Sequence, residues 1–184
     1  MRPLTPERWP DLVELFERRG PRGGSKLSPA DGCWCMYWRD RTLPHGEPKK
    51  RALEAIVREG REPGLLAYDG DVPAGWVSVA PREEFRAILH SPQYRPRDEG
   101  GGPAVWSIVC FAIDRDQRGQ GLAAVLLDAA VAHAFGHGAT SVEAYPHATS
   151  RGDYMGYVDL YRSAGFVHVR DANKRVIVRR ELVS

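Results

Sequence analysis

The chain has 184 residues, of which 42% are hydrophobic and 27% are charged, a length and composition typical of one domain whose core needs no disulfide scaffold. Its 26 lysines and arginines are nearly balanced by 24 aspartates and glutamates, which argues against a nucleic-acid binder that relies on a large basic surface. No apolar run approaches the ~20 residues of a membrane span, residues 1–6 do not begin a secretory signal, and three cysteines favour a reduced, cytoplasmic protein.

The first 60 residues predict two helices around a short aromatic segment. Thr5-Pro6-Glu7 is typical of a helix start, Pro10 predicts a kink or a later start, and Gly20 ends the helix. The run 33–38 (CWCMYW) indicates a strand or extended segment, because aromatic residues favour strands. A second helix is predicted over 48–59.

The rest of the chain predicts a mixed sheet covered by helices. Asp69-Gly70-Asp71 lies between apolar runs and indicates a hairpin of the strands 65–68 and 72–80. The remaining predicted elements are, in chain order, a short helix at 81–90, a strand at 104–113, a helix at 120–135, a strand at 141–145, a helix at 154–163 and strands at 166–169 and 176–180. This order predicts an α/β (α+β mixed) fold with a central mixed sheet.

The most informative stretch joins the strand that ends at Ile113 to the helix that begins near Gln120. It contains Gly119 and Gly121, which let the backbone turn sharply and place no side chain between the amides and a ligand. The first amides of a helix lack partners within it and carry the positive end of its dipole. The stretch therefore predicts a phosphate site, although a tight turn that merely requires glycine has the same pattern.

Residues 119–124 also match the dinucleotide fingerprint G-x-G-x-x-A, and Glu143 lies about 20 residues further on, where a ribose-binding acid belongs. Two features oppose this interpretation. Five polar residues, 114–118, separate the strand from the first glycine, and only about 40 residues follow Glu143, too few for the remaining βαβ units. A nucleotide-dependent oxidoreductase is therefore the less favoured alternative.

The R-G-x-G-L-A turn at 118–123 and the later segment L-Y-R-S-A-G-F at 160–166 resemble the GNAT superfamily of N-acetyltransferases. In that family, a loop of the form Q/R-x-x-G-x-G/A binds the pyrophosphate of acetyl-CoA through backbone amides, and a helix near the C-terminus carries L-Y-x-x-x-G-F. Both motifs occur here in the family's order and separation. The resemblance covers residues 64–180, and the C-W-C-M-Y-W-R segment is similar to that of a bacterial subgroup without an assigned substrate.

The resemblance implies a GNAT-type fold and an acetyl-CoA-dependent N-acetyltransferase, and it assigns the cofactor-binding residues. Those implied to hold the pyrophosphate through their backbone are Arg118, Gly119, Gln120, Gly121, Leu122 and Ala123, and those implied to pair with the pantetheine arm are Phe111, Ala112 and Ile113. A strand amide at Cys110 or Phe111 is implied to polarise the thioester carbonyl. Asp116 departs from the family's Gln or Arg, and Tyr154 replaces an Asn that many members carry beside the cofactor.

The resemblance also implies a general acid. Tyr161, four residues before Gly165, occupies the family's position for the group that protonates the leaving CoA thiolate, although a tyrosine packed between helix and sheet fits as well. An amine with a pKa of ~10.4 needs a base near neutral pH, and Glu143 is the first candidate, with Glu83 and Glu84 in reserve. The expected acceptor is a small-molecule or peptide amine that attacks the thioester directly.

No metal site is predicted. His133 and His137 have helical i,i+4 spacing, but no acid lies between them as in H-E-x-x-H, and a helix C-terminus favours histidine electrostatically. Cys33 and Cys35 supply too few ligands by themselves.

We expect a single domain over 1–184, in which 1–60 supply N-terminal helices and an acceptor-side segment and 64–182 form the core with the acetyl-CoA site. No nucleic-acid or membrane partner is expected, and the protein is expected to be a monomer or homodimer. A non-catalytic acyl-CoA-binding or regulatory module on the same fold is the second alternative function.

Overall fold

The computed structural model of the chain describes residues 1–20, 32–97, 102, 104–149 and 154–182. Its strands are β1 (Arg2–Pro3), β2 (Gly64–Asp69), β3 (Val72–Pro81), β4 (Val105–Ile113), β5 (Ser141–Ala144), β6 (Val167–Ala172) and β7 (Arg175–Glu181). They form one sheet in the order β1-β2-β3-β4-β5-β7-β6, in which only β4 and β5 pair in parallel. The predicted mixed sheet is therefore confirmed, and five of its six strand pairs are antiparallel.

The helices predicted at 48–59 and 120–135 lie within two residues of the observed ones, whereas those predicted at 81–90 and 154–163 are shorter in the structure. The described helices are α1 (Trp9–Glu17), α2 (Glu47–Arg58), α3 (Arg86–Leu89), α4 (Leu122–Gly136) and α5 (Val158–Ser163). Pro10 lies in the first turn of α1, where its missing N–H leaves no helical hydrogen bond unmade. Helix α4 begins two residues later than predicted, because Gly121 is left-handed, with a φ of 82°. None of the described helices is long and apolar enough to cross a bilayer.

Helices cover both faces of the sheet, as the side chains of β3 show. Val77 and Val79 are buried in one cluster with Leu126 and Leu127 of α4, whereas Trp76 is buried in another with residues of α1 and α2. Because successive side chains of a strand point to opposite faces, β3 is a central strand with core on each side.

The predicted strand at 33–38 is wrong, since this segment is a series of turns. Trp34 and Cys35 have φ values of 48° and 52°, a left-handed conformation that bulky residues rarely adopt. Trp34 and Met36 are buried against α1 and α2, while Trp38 is buried in a separate cluster with residues of α3. A strand would place these three side chains on one face. Their burial in two clusters outweighs the strand preference of aromatic residues.

A bulge in β4 opens the sheet between β4 and β5. Ser78 of β3 pairs with Cys110, but Val79 pairs with Ile108, so Val109 is an extra residue in β4. A bulge bends its strand and increases the local twist. The parallel pairing of β4 with β5 accordingly ends at Ile108, opposite Ala144. Beyond that point β4 continues along β3 alone, and its other edge faces the opening.

Candidate active site

The loop after β4 is shaped by a buried aspartate, Asp114, which is 2% exposed. Its Oδ1 accepts a hydrogen bond from the amide of Asp116 at 3.0 Å and begins a 3-10 turn over Arg115–Gln117. Its Oδ2 accepts from Nη1 of Arg18 at 2.8 Å. Because the same guanidinium also donates to the carbonyl of Pro73 at 3.1 Å, this ion pair ties the loop to the end of α1 and to β3.

Five consecutive amides at the start of α4, those of residues 119–123, donate no hydrogen bond within the described part of the chain. The first amide that bonds back is that of Ala124, to the carbonyl of Gly121 at 3.0 Å. Gly119 and Gly121 have φ values of 78° and 82°, and no atom of the described residues lies within 4 Å of the position that a Cβ would take at either residue. The loop thus presents a row of N–H groups to open space at the positive end of α4.

Arg118 differs from the other predicted loop residues. Its amide donates to the carbonyl of Arg115 at 3.3 Å and closes the 3-10 turn, so it is not part of the open row. Its Nε donates to the carbonyl of Ile113 at 3.1 Å. The guanidinium therefore lies at the end of β4, where it adds positive charge beside the loop.

The predicted strand residues lie along the opening. Phe111 and Ala112 are buried on opposite faces of the sheet. Because the backbone groups of successive strand residues point to opposite edges, the Phe111 amide faces the opening while Ala112 pairs with Trp76 of β3. The amide of Phe111 donates to the carbonyl of Tyr154 at 2.6 Å. The segment 154–157, which precedes α5, therefore reaches the edge of β4.

Tyr161 is fully buried and supports the same segment. Its hydroxyl donates to the carbonyl of Met155 at 2.8 Å. Its ring contacts those of Phe111 and Phe166, with centroids 6.4 and 5.2 Å away. Gly156, at a φ of 74°, lies so close that a Cβ there would be 3.2 Å from the ring of Tyr161. Tyr161 is thus next to the opening and also satisfies the packing alternative.

Glu143 occupies a buried polar network on the other side of the opening, and only 3% of it is exposed. Its Oε1 accepts from Nη2 and Nε of Arg179 at 2.6 and 3.1 Å. Its Oε2 accepts from Nη1 of Arg82 at 3.1 Å and from the Tyr145 hydroxyl at 3.0 Å. Burial, together with the charge of Glu143, raises the pKa of Tyr145 well above its usual value, so that hydroxyl stays a donor. Four donors therefore occupy the four acceptor positions of the carboxylate.

The two reserve acids are placed differently. Glu84 pairs with the buried guanidinium of Arg39 and lies 3.6 Å from Nη1 of Arg61. Glu83 is exposed on the turn that follows β3. Neither residue lines the cavity beside Val109 and Cys110.

A cavity of about 660 Å³ lies beside Val109 and Cys110, on the side of the opening away from the loop. Aromatic and basic side chains dominate its described lining, which includes Tyr37, Trp38, Tyr94, Arg41, Lys174 and Arg175. No carboxylate occurs among the described lining residues. The cavity therefore combines apolar walls with a positive potential.

Two groups of residues that position the site were not predicted from the sequence. Asp114 carried a readable signal, since an aspartate ahead of a short polar turn is typical of an N-cap. Arg18, Arg82 and Arg179 carried none, because each meets its partner only through the sheet, 36 to 96 residues away along the chain.

A family model described as the Acetyltransferase (GNAT) family matches residues 30–166. No curated protein matches the chain.

Several solved structures are similar along nearly the whole chain. The GNAT domain of S. lividans PAT is 18% identical, with a TM-score of 0.59 over 98% of this chain and 89% of that one. A GNAT-family acetyltransferase from Streptococcus agalactiae is 15% identical, with a TM-score of 0.59 over 100% and 95%. The PaiA N-acetyltransferase from Thermoplasma acidophilum, solved with coenzyme A, is 12% identical, with a TM-score of 0.55 over 98% and 97%. At these identities the structures establish a shared fold.

Proposed function

The chain belongs to the acetyltransferase (GNAT) family, whose members transfer an acetyl group from acetyl-CoA to an amine, and we propose that it does so with the loop 114–123 and the opening between β4 and β5. The observation that carries this proposal is the row of five unbonded amides at residues 119–123. A diphosphate is the ligand that such a row at a helix N-terminus favours. Arg118 adds charge, and the ion pair of Asp114 with Arg18 holds the loop in place.

The thioester is proposed to take the position that the Tyr154 carbonyl occupies at the amide of Phe111. Transfer then needs the segment 154–157 to move, with Gly156 as the residue whose backbone absorbs the change. A preorganised amide of this kind is typically worth about 3–4 kcal/mol to an oxyanion.

Tyr161 is proposed to protonate the thiolate once that segment has moved. The movement removes the Met155 carbonyl from the Tyr161 hydroxyl and frees its O–H for the sulfur atom. The same displacement therefore prepares both the oxyanion site and the general acid.

Glu143 is a weaker candidate for the base than its sequence position suggests. Both of its oxygens are occupied by Arg179, Arg82 and Tyr145, so no lone pair is open toward the cavity. We propose that Glu143 holds the opening in shape and that the amine loses its proton to water.

The proposed role of Glu143 is tested by Glu143→Gln. We expect kcat at low temperature to stay within about tenfold of the parent value, whereas loss of a positioned base lowers kcat by about 10²–10⁴-fold. The free energy of unfolding is expected to fall by about 3–5 kcal/mol, because two guanidinium groups lose a buried partner. Steady-state kinetics and urea denaturation measure the two effects. A loss of kcat beyond 100-fold in a protein that is still folded would return Glu143 to the role of base.

The acceptor is proposed to be an amine that also carries a carboxylate or another anionic group. Arg41, Lys174 and Arg175 line the cavity and attract such a group, whereas they repel a polyamine. The aromatic walls favour an acceptor with an apolar part next to its amine.

An amine panel assayed by thiol release from acetyl-CoA tests both the activity and the acceptor class. We expect turnover with acidic amines and none with polyamines. Lys174→Glu is expected to raise the KM of the acidic amine at least about fivefold, since two exposed charges 4 Å apart interact by about 1 kcal/mol. Arg58→Glu, an equal charge change at an exposed residue of α2, is the control.

A binding panel separates the alternatives to this function. If acetyl-CoA raises the Tm but no amine causes thiol release from acetyl-CoA, the result would support the non-catalytic acyl-CoA-binding module, which the bonded amide of Phe111 favours. Stabilisation by NAD or NADP in place of acetyl-CoA would support the oxidoreductase.

A further inference from the structure

Three side chains with metal-binding atoms meet at the C-terminal end of α4. His133 is in the last turn of α4, His137 follows it, and Glu62 lies in the segment before β2. One ligand atom from each lies within 4.8 Å of the other two. Oε2 of Glu62 is 3.7 Å from Nε2 of both histidines.

The ring of His137 is oriented by the backbone. Its Nδ1 lies 2.8 Å from the carbonyl oxygen of His133. Because a carbonyl oxygen only accepts, Nδ1 must carry the proton. In the neutral ring, Nε2 then has a free lone pair, and it faces Glu62. Metal-binding histidines are commonly held in this way, with the second nitrogen donating to a backbone carbonyl.

His133 is the buried member of the cluster. Only 9% of its side chain is exposed, and its Nε2 has no hydrogen-bond partner among the described residues. Burial, and then the neighbouring His137, lower the pKa of His133. A buried nitrogen without a partner is unfavourable, and here it points toward a carboxylate and a second imidazole.

We propose that Glu62, His133 and His137 bind a divalent cation of the zinc class, such as Zn²⁺, Co²⁺ or Ni²⁺. Imidazole and carboxylate ligands suit these ions. A tetrahedral zinc ion with bonds of about 2.0–2.1 Å holds its ligand atoms about 3.3–3.4 Å apart, so side-chain adjustments of a few tenths of an ångström bring the 3.7 Å contacts to that distance. Water completes the fourth position.

The site is separate from the proposed acetyl-transfer site. His133 is eleven residues beyond Leu122 in the same helix, which places it about 16 Å along the axis from the phosphate loop. The ring of Trp106 in β4 lies beside both histidines, with centroids 5.7 Å away. A cation there joins the end of α4 to the segment that enters β2, and so stabilises the fold without touching acetyl-CoA.

Titration calorimetry of the chelator-treated full chain with ZnCl₂ tests this site, and CoCl₂ reports on its geometry. We expect one equivalent of Zn²⁺ to bind, a higher Tm, and the visible absorption of tetrahedral Co²⁺. His137→Ala and Glu62→Gln change partly exposed side chains and leave α4 intact. Each is expected to weaken Zn²⁺ binding by more than ~100-fold, beyond the ~10–100-fold that loss of an outer partner costs.

The matched control is His168→Ala, which removes an exposed histidine that contacts one carboxylate, Asp171, at 2.9 Å. This variant is expected to bind Zn²⁺ as the parent does. Unchanged binding in both His137→Ala and Glu62→Gln would overturn the proposal, because the cation would then bind elsewhere. Absence of binding by the parent chain would overturn it as well. Neither outcome bears on acetyl transfer, which is measured separately.

Discussion

Replacing Gly121 with glutamate is expected to abolish acetyl-CoA binding while leaving the fold intact. Gly121 lies in the middle of the open row of amides, and the position of its Cβ meets no atom within 4 Å. A carboxylate there accepts from the amides that the diphosphate needs and repels the phosphates. At about 4 Å from a phosphate such a charge costs about 4 kcal/mol near a protein surface. We expect the Kd measured by calorimetry to rise at least ~100-fold.

Gly138→Glu is the control for this variant. Gly138 follows the other end of α4, has a φ of 83°, and also has open space around its Cβ position. Both variants place glutamate in a left-handed conformation, at a cost of about 1–2 kcal/mol in stability. Their melting temperatures should therefore be similar, and only Gly121→Glu should lose acetyl-CoA. Equal affinity in the two variants would show that the diphosphate binds elsewhere.

The fold was predictable where local patterns agree with tertiary packing. The Asp69-Gly70-Asp71 turn correctly predicted the β2–β3 hairpin, and the apolar run at 104–113 correctly predicted β4. In both cases the local signal and the burial of the strands in the sheet favour the same structure. The strand predicted at 33–38 was wrong because local preference and tertiary packing disagree there: the aromatic side chains are buried in two separate clusters. The strand β1 has only two residues, too few for any alternation of apolar and polar side chains to appear.

The candidate site was predictable only in its local part. The glycine loop is contiguous, so its backbone geometry follows from a few neighbouring residues, and the open amides lie where the pattern placed them. The partners of Glu143 come from other elements of the fold, and a carboxylate that looked available as a base in the sequence is surrounded by donors. The proposed metal site was incomplete in the sequence for the same reason, since only its two histidines could be recognised there. The carboxylate that completes the pair of histidines, Glu62, lies 71 residues before His133 and meets it only in the folded chain.

Tyr161→Phe is expected to lower kcat by at least ~100-fold, the lower end of what a positioned acid contributes, while changing the KM for acetyl-CoA much less. The hydroxyl donates to the Met155 carbonyl, and the amides of residues 119–123 donate to no group in the described part of the chain, so removal of the hydroxyl leaves the open amides of the loop unchanged. An interaction made only in the transition state lowers kcat and kcat/KM together. Stopped-flow measurement of the acetyl-transfer step, together with steady-state kinetics, distinguishes slower acetyl transfer from slower product release.

Tyr145→Phe is the matched control, because it also removes the hydroxyl of a fully buried tyrosine, one that donates to Glu143. Tyr161→Phe takes a donor from the Met155 carbonyl, and Tyr145→Phe takes a donor from Glu143 and a partner from Ser107, so each variant costs at least about 1–3 kcal/mol in stability. If the Tyr161 hydroxyl serves only to pack and to hold Met155, the two variants will lose similar stability and keep similar kcat. If it protonates the thiolate, only Tyr161→Phe will lose kcat.

A second experiment changes the leaving group. With a donor acyl thioester whose thiol is more acidic than that of CoA, the loss of kcat in Tyr161→Phe should be smaller, because such a thiolate leaves more readily without a proton. An equal loss with both thioesters would assign Tyr161 to positioning the segment 154–157.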